Sequence, residues 1–247
     1  MYIHPCSKKI EQYLSQLDYE DKVYVDIGSS YETNLPNHFI KEGDKTIFIE
    51  ADTSKAAQWT ETPNFKILNE RATPDNIESL LKTEVGNKDI AYLDIDIDGY
   101  DYHVLDALLK YKKPYMFIAE INEKIPPPIK FSVKYTPEYS WNSSHFYGMS
   151  ISQAFILVEK YGYDLLELSI NNIICIRKDK NFTGISLSAE EAYDQGYKNP
   201  RLQGQLSEFH WNANMDFLLH LSPQEALAQI DNIFLPYKGK YECNSNK

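Results

Sequence analysis

Short, nearly continuous apolar runs alternate with amphipathic stretches over the first 120 residues. Val23-Tyr24-Val25-Asp26-Ile27 runs straight into Gly28, and further runs occupy residues 46–50, 65–69, 90–96 and 114–120. Runs of this length suit parallel strands covered on both faces. Thr73-Pro74-Asp75 supplies an N-cap, a proline at the first helical position and an acid in the first turn. Ile77, Leu80 and Leu81 then recur at helical spacing, and Val104, Leu105, Leu108 and Leu109 form the stripe of a later helix. Repeated strand–helix–strand units predict an α/β fold, a doubly wound, mostly parallel Rossmann-like sheet with right-handed crossovers.

The rhythm breaks at a long loop, 122–146, which holds Pro126-Pro127-Pro128, Pro137 and several aromatics without a sustained period. Such a loop inside a compact domain is more often functional than idle. Residues 150–161 read as a helix stopped by Gly162, and 163–168 and 172–176 as two strands joined by a tight turn. Beyond residue 178 the pattern becomes helical, with capping boxes at Ser188…Glu191 and Ser222…Glu225. The expected organisation is a core over 1–178, carrying the loop 122–146, and a helical C-terminal extension over 179–247.

Charge narrows the partners. The 247 residues carry 25 Lys plus Arg against 36 Asp plus Glu, a formal charge of −11. That balance repels phosphate backbones and anionic lipid, so neither nucleic acid nor a membrane is an expected partner. Cys6, Cys175 and Cys243 show no C-x-x-C spacing, which signals neither a zinc knuckle nor a disulfide framework. No apolar run approaches the ~18 residues of a membrane span, and the start resembles no signal peptide, so a cytoplasmic setting is expected.

In open α/β sheets ligands sit outside the carboxyl ends of the strands. Asp26-Ile27-Gly28-Ser29-Ser30 follows the first strand, Glu50 ends the second where an acid can accept both hydroxyls of a ribose, and Asp94 and Asp96 end the fourth. The plainer reading is that acids at strand ends merely meet solvent. A dinucleotide needs glycines around its pyrophosphate, and Ser30 and Thr33 stand where G-x-G-x-x-G requires them. S-adenosylmethionine has no phosphates, and its sulfonium and amine favour an acidic pocket.

Val25-Asp26-Ile27-Gly28-Ser29-Ser30, Ile49-Glu50-Ala51 and Leu93-Asp94-Ile95-Asp96-Ile97-Asp98-Gly99-Tyr100-Asp101 resemble the ordered motifs of class I methyltransferases. The stretch from Ile95 to Asp101 is similar to the I-D-x-E-G-[FY]-E signature of FkbM-like small-molecule O-methyltransferases. The resemblance spans about residues 20–178. It departs from the group in lacking a second glycine after the first strand, with Glu32 near that position, and in carrying Asp94 where lysine is frequent. It implies a methyltransferase sheet, S-adenosylmethionine as donor, and Asp26, Gly28, Ser29 and Glu50 as its contacts, with Asp94 bordering them.

Alternation along a strand would put Asp94, Asp96 and Asp98 on one face, opposite Glu120 and Asn122 on the next strand. Carboxylates so close must share a proton or surround a cation. Oxygen donors of this kind suit Mg²⁺, Mn²⁺ or Ca²⁺, with Asp96, Glu120 and Asn122 as candidate ligands. This placement resembles, by geometry alone, the metal arrangement of catechol-type O-methyltransferases. Alternatively Asp98-Gly99 makes a turn and Asp101 caps the following helix. Asp96 and His145 are the candidate catalytic groups, His145 as a movable base; His103 falls near the polar side of its helix.

Lys124, Lys130 and Lys134 offset Glu123 and Glu138 in the loop. With Phe131, Tyr135, Tyr139, Trp141 and Phe146 it could cover a polar, sugar-like or phosphorylated substrate, or simply fill core gaps. The tail residues Leu227, Ile230, Ile233 and Phe234 suit core covering or a homodimer contact, with a substrate lid as the other role. The expected function is methylation of a small hydroxylated metabolite, of sugar type. The rivals are an NAD-dependent sugar-modifying enzyme and a non-catalytic binding protein on the same scaffold.

Overall fold

The computed structural model describes residues 6–17, 23–31, 33, 35 and 45–245; Glu32 and the N-terminal Met1 to Pro5 lie outside them. In chain order the elements are α1 (Ser7–Leu14), β1 (Val23–Ile27), β2 (Lys45–Ile49), α2 (Thr53–Ala56), β3 (Phe65–Leu68), α3 (Ile77–Val85), β4 (Ile90–Ile95), α4 (Asp101–Tyr111) and β5 (Met116–Glu120). Then come β6 (Lys130–Val133), α5 (Ile151–Tyr161), β7 (Tyr163–Ser169), β8 (Asn172–Arg177), α6 (Ala189–Tyr193), α7 (Asn199–Leu202), α8 (Pro223–Ile233) and β9 (Tyr241–Asn244).

The main sheet has seven strands in the order β3-β2-β1-β4-β5-β8-β7. Pairings among β1 to β5 are parallel, while β8 is antiparallel to both β5 and β7. This is a doubly wound, mostly parallel Rossmann-like sheet in which β8 runs antiparallel between β5 and β7, leaving β7 parallel to the first five strands. The strand order reverses between β1 and β4, which opens a crevice at their carboxyl ends.

Burial on both faces explains the apolar runs. One face packs Val25, Ile27, Leu93, Ile95, Phe117 and Ala119 against the stripes of α3, α4 and α5. The other sets Tyr24, Tyr92, Met116 and Ile118 against Cys6, Ile10 and Leu14 of the α1 segment. Both predicted capping boxes are present, at Ser188–Glu191 and Ser222–Glu225. Ser150 caps α5, and Gly162 ends it in the left-handed conformation.

A second core is the feature that the sequence pattern does not announce. Ile125, Ile129, Phe131, Val133 and Phe146 of the loop bury themselves with Met215, Leu218, Ala226, Ile230 and Phe234 of the tail. β6 of the loop pairs antiparallel with β9 at the end of the tail, Lys130 facing Asn244. The loop and the last third of the chain therefore pack as one body, and Ile230 and Phe234 are interior residues.

Candidate functional site

A cavity of about 630 Å³ lies at the carboxyl ends of β1 to β5. Its floor is Ile27, Gly28 and Ser30; Glu50 and Asp52 follow β2; Arg71 follows β3; Asp96, Ile97 and Asp98 follow β4; Glu120 ends β5. Tyr139, Ser140 and Trp141 of the loop close the remaining side. Of the sequence-predicted site residues, Gly28, Glu50, Asp96 and Glu120 line this space.

Gly28, which lines the cavity, also makes room for a neighbouring strand. At φ +91°, a Cβ there would stand 1.7 Å from the carbonyl oxygen of Asp96. The glycine is required by the close approach of β4, sealed by hydrogen bonds from the Asp96 amide to Ile27 O (2.9 Å) and from the Gly28 amide to Ile49 O (2.9 Å). Glu50 holds the neighbouring turn: Oε2 accepts from the Ser30 amide at 2.9 Å and Oε1 from the Asp52 amide at 2.7 Å.

Asp26, Ser29 and Asp94 are buried and do not line the cavity. Asp26 and Asp94 are register partners on β1 and β4. Asp26 accepts from Thr33 Oγ1, and Asp94 accepts from Tyr92 OH at 2.9 Å. Burial, and next the charge of Asp94, push the Asp26 carboxyl well above the usual range. The Ser29 hydroxyl has no hydrogen-bond partner among the described residues.

The carboxylates meet as the strand ends predict. Ile95 lies opposite Ala119, so the next residues, Asp96 and Glu120, emerge side by side. Asp96, Asp98 and Glu120 each bring an oxygen within 4.8 Å of the others. Burial raises the pKa of Asp96 well above normal, helped by Asp98, Asp101 and Asp94, while the neighbouring Glu120 carboxyl partly opposes the rise. Glu120 is raised by burial and then by Asp96. Glu120 Oε1 accepts from Asn171 Nδ2 at 2.9 Å, and its Oε2 has no donor among the described residues.

The backbone leaves the extended conformation after Ile95, and Asp98 has φ +53°. Asp98 thus reaches the cluster through a turn, not by strand alternation. Asp101 accepts from the amides of Ile97 (2.8 Å) and Gly99 (2.9 Å) and so builds that turn as it opens α4. Its burial pushes its pKa up to about 6.

Asn122 and His145 are not brought into the cavity. Asn122 is fully buried, and its Nδ2 donates to the carbonyls of His145 (2.8 Å) and Tyr147 (3.1 Å), pinning the end of the loop. The Nε2 of His145 is paired with Asn214 Oδ1 at 2.9 Å, and its ring lies 4.7 Å from that of Trp211. Burial, then the charge of Lys124, lower its pKa. His103 bonds the carbonyl of Val133 at 3.2 Å.

Sequence reasoning overlooked Arg71, whose Nη1 donates to Tyr139 O at 3.0 Å. Gly99, legible in the sequence as a turn residue, lies under the ring of Tyr139, whose Cε1 stands 2.7 Å from a would-be Cβ. Among the described residues, no helix is long and apolar enough to cross a membrane.

The chain matches no protein-family profile and no curated protein. It is similar in shape to several solved structures. A Streptococcus thermophilus protein provisionally named a hemolysin is 15% identical over 83% of this chain and 77% of that one, with a TM-score of 0.49. TrmK of M. capricolum, solved with S-adenosyl-homocysteine, is 14% identical over 92% and 96%, with a TM-score of 0.44. The N-terminal domain of EvdMO1, solved with SAH and D-fucose, is 8% identical over 69% and 80%, with a TM-score of 0.43. Likeness at this level carries no argument about activity.

Proposed function

We propose that this chain is an S-adenosylmethionine-dependent O-methyltransferase of the FkbM-like kind, acting on a small hydroxylated metabolite of sugar type. The observation that carries the reading is the single acidic cavity joining the Gly28 turn, Glu50 and the Asp96–Asp98–Glu120 cluster. It lies at the switch in strand order, where a nucleoside ligand is expected, and its carboxylates favour a cationic donor. In this reading 1–178 is the donor-binding core and 179–247 an extension that completes the acceptor side.

Gly28 and Glu50 would hold the donor from the cavity wall. Asp26, Ser29 and Asp94 would support the same turn from beneath. Methyl transfer is an in-line displacement that needs positioning and the removal of one proton. Asp96 lines the cavity beside Glu120 and is the proposed catalytic group. His145 can act as base only if the loop carries it away from Asn214.

The carboxylates also fit a divalent cation, because three oxygen donors converge and Glu120 Oε2 is buried without a donor among the described residues. Asp96 and Glu120 would hold Mg²⁺ or Mn²⁺ with Asp98, while Asn122, which does not line the cavity, falls outside this set. The chemistry such an ion supplies is a lowered pKa for an acceptor hydroxyl.

Calorimetry separates this reading from the dinucleotide rival. Saturable heat with S-adenosylmethionine and none with NAD is the expected result. Saturable NAD binding with no response to S-adenosylmethionine would overturn it.

A further inference from the structure

The loop wall of the cavity is fastened from a distant part of the chain. Tyr237, in the turn after α8, places its hydroxyl 3.0 Å from Asn142 Nδ2 and 3.1 Å from Ser144 Oγ. Its ring stacks on Phe146 at a centroid separation of 4.0 Å and an interplanar angle of 1°. Ser144 in turn bonds Asn142 Oδ1 at 2.6 Å, and its carbonyl accepts from Trp141 Nε1 at 2.8 Å. The indole that lines the cavity is thus tied to Ser144, and Ser144 to Tyr237.

The other anchors of the wall follow the same logic. Tyr139 OH donates to Phe146 O at 2.9 Å, and Phe146 is buried in the second core. Trp141 nevertheless remains 38% exposed, although the segment around it is fastened on several sides. A large, part-exposed apolar ring tied by its Nε1 and lining the same cavity as Asp96, Asp98 and Glu120 suits a ligand with one apolar face and several hydroxyls.

We propose that Trp141 is the platform on which the ring of the methyl acceptor stacks, and that Tyr237 is the residue that positions it. This rests on the methyltransferase reading above. The ligand class is a hydroxylated ring compound whose face lies on the indole and whose hydroxyls reach the acidic cluster. Tyr237 touches neither donor nor acceptor and acts through Asn142, Ser144 and Phe146. The C-terminal extension is on this account part of the acceptor site, not merely a cover for the core.

The test uses the full chain labelled with 5-fluorotryptophan, the Trp141 resonance being assigned by Trp141→Phe. The protein is saturated with S-adenosylhomocysteine and titrated with p-nitrophenyl β-D-glucopyranoside, a probe carrying both a sugar and an aromatic ring. The expected result is a saturable shift of the Trp141 resonance in the wild type. Tyr237→Phe, which keeps the stack on Phe146 but loses the hydroxyl bonds, should weaken the probe about five-fold, as loss of about one net hydrogen bond implies. Tyr237→Leu should weaken it further, and both variants should bind S-adenosylhomocysteine within two-fold of wild type.

A wild type that binds S-adenosylhomocysteine but leaves the Trp141 resonance unmoved by the probe overturns the platform. Unchanged probe affinity in both Tyr237 variants overturns the positioning role. Equal losses of probe and S-adenosylhomocysteine affinity would make Tyr237 a general structural residue and overturn it too. Failure of the wild type to bind S-adenosylhomocysteine would instead strike the methyltransferase reading itself.

Discussion

Asp96 and Glu120 leave adjacent parallel strands side by side, and with Asp98 they bring carboxylate oxygens within 4.8 Å of one another. Together with Asp26 they are carboxyl groups whose pKa lies well above normal, chiefly through burial. Asp101, at about 6, belongs to the same set. The native protein therefore holds protons that the unfolded chain releases at about pH 4. Their contribution to stability is fully present below that pH and is lost as pH rises through the folded values. Each group contributes at most about 1.4 kcal/mol per pH unit while it stays protonated. Scanning calorimetry of the ligand-free protein should show Tm falling from pH 5 to pH 8. A Tm that climbs across that interval would contradict the raised carboxyl values.

Replacing one carboxylate separates stability from function. Asp96→Asn should raise the Tm of the ligand-free protein at pH 8 and flatten its pH dependence, because the mutual repulsion of Asp96, Asp98 and Glu120 is relieved. The same substitution, or Glu120→Gln, should abolish methyl transfer while leaving S-adenosylmethionine affinity within a few-fold. If a divalent ion serves the site, both variants should also lose Mn²⁺ binding measured by electron paramagnetic resonance. Full turnover of the wild type after exhaustive chelation would remove the ion from the account.

The strand ends were readable because buried parallel strands leave unbroken apolar runs, and a polar residue such as Asp96 after such a run marks the edge of the sheet. Glu120 could be set beside Asp96 from the same logic. Strand alternation does not carry Asp98 into the cluster; the turn legible at Asp98-Gly99 does, with Asp98 left-handed and Asp101 opening the following helix as that reading expects. α1 escaped notice because its buried side is narrow, resting on Ser7, Ile10 and Leu14. The pairing of β6 with β9 was illegible for a different reason. Lys130 and Asn244 are 114 positions apart (244 − 130), and nothing local in either short strand announces its partner. His145 looked like a base because histidine chemistry is visible in a sequence, whereas its bond to Asn214 depends on how the tail folds back.

Gly28 offers a sharp test of the turn beneath the proposed donor. Alanine there faces both an unfavourable positive φ and a 1.7 Å collision with the Asp96 carbonyl. Backbone on both sides leaves nothing flexible to yield. Gly28→Ala should cost about 3 kcal/mol or more in urea unfolding, and any protein that folds should bind S-adenosylmethionine at least ten-fold more weakly. Gly86, also at positive φ but with nothing within 4 Å of a Cβ, is the control. Its alanine variant should pay only for the backbone and leave binding unchanged.

The tail hydrogen-bonds to Glu123, a member of a buried ion pair within the loop, so breaking that pair should loosen the tail. Lys124 Nζ lies 3.1 Å from Glu123 Oε1 and 2.7 Å from Tyr147 OH, with its side chain wholly buried. Asn212 of the tail donates to the same Glu123 oxygen at 2.6 Å, and Tyr193 donates to the Glu123 carbonyl at 2.8 Å. Lys124→Met keeps most of the volume but strands the Glu123 carboxylate, which should cost about 3–5 kcal/mol. In the double variant with Glu123→Gln the unpaired charge disappears, so much of that loss should be recovered. A double-mutant cycle by urea unfolding measures the coupling, and limited proteolysis of the Lys124→Met protein should cut the extension before the sheet. Additive losses in the cycle would mean that the pair does not hold the tail, leaving its attachment to the apolar contacts of Phe131, Ile230 and Phe234.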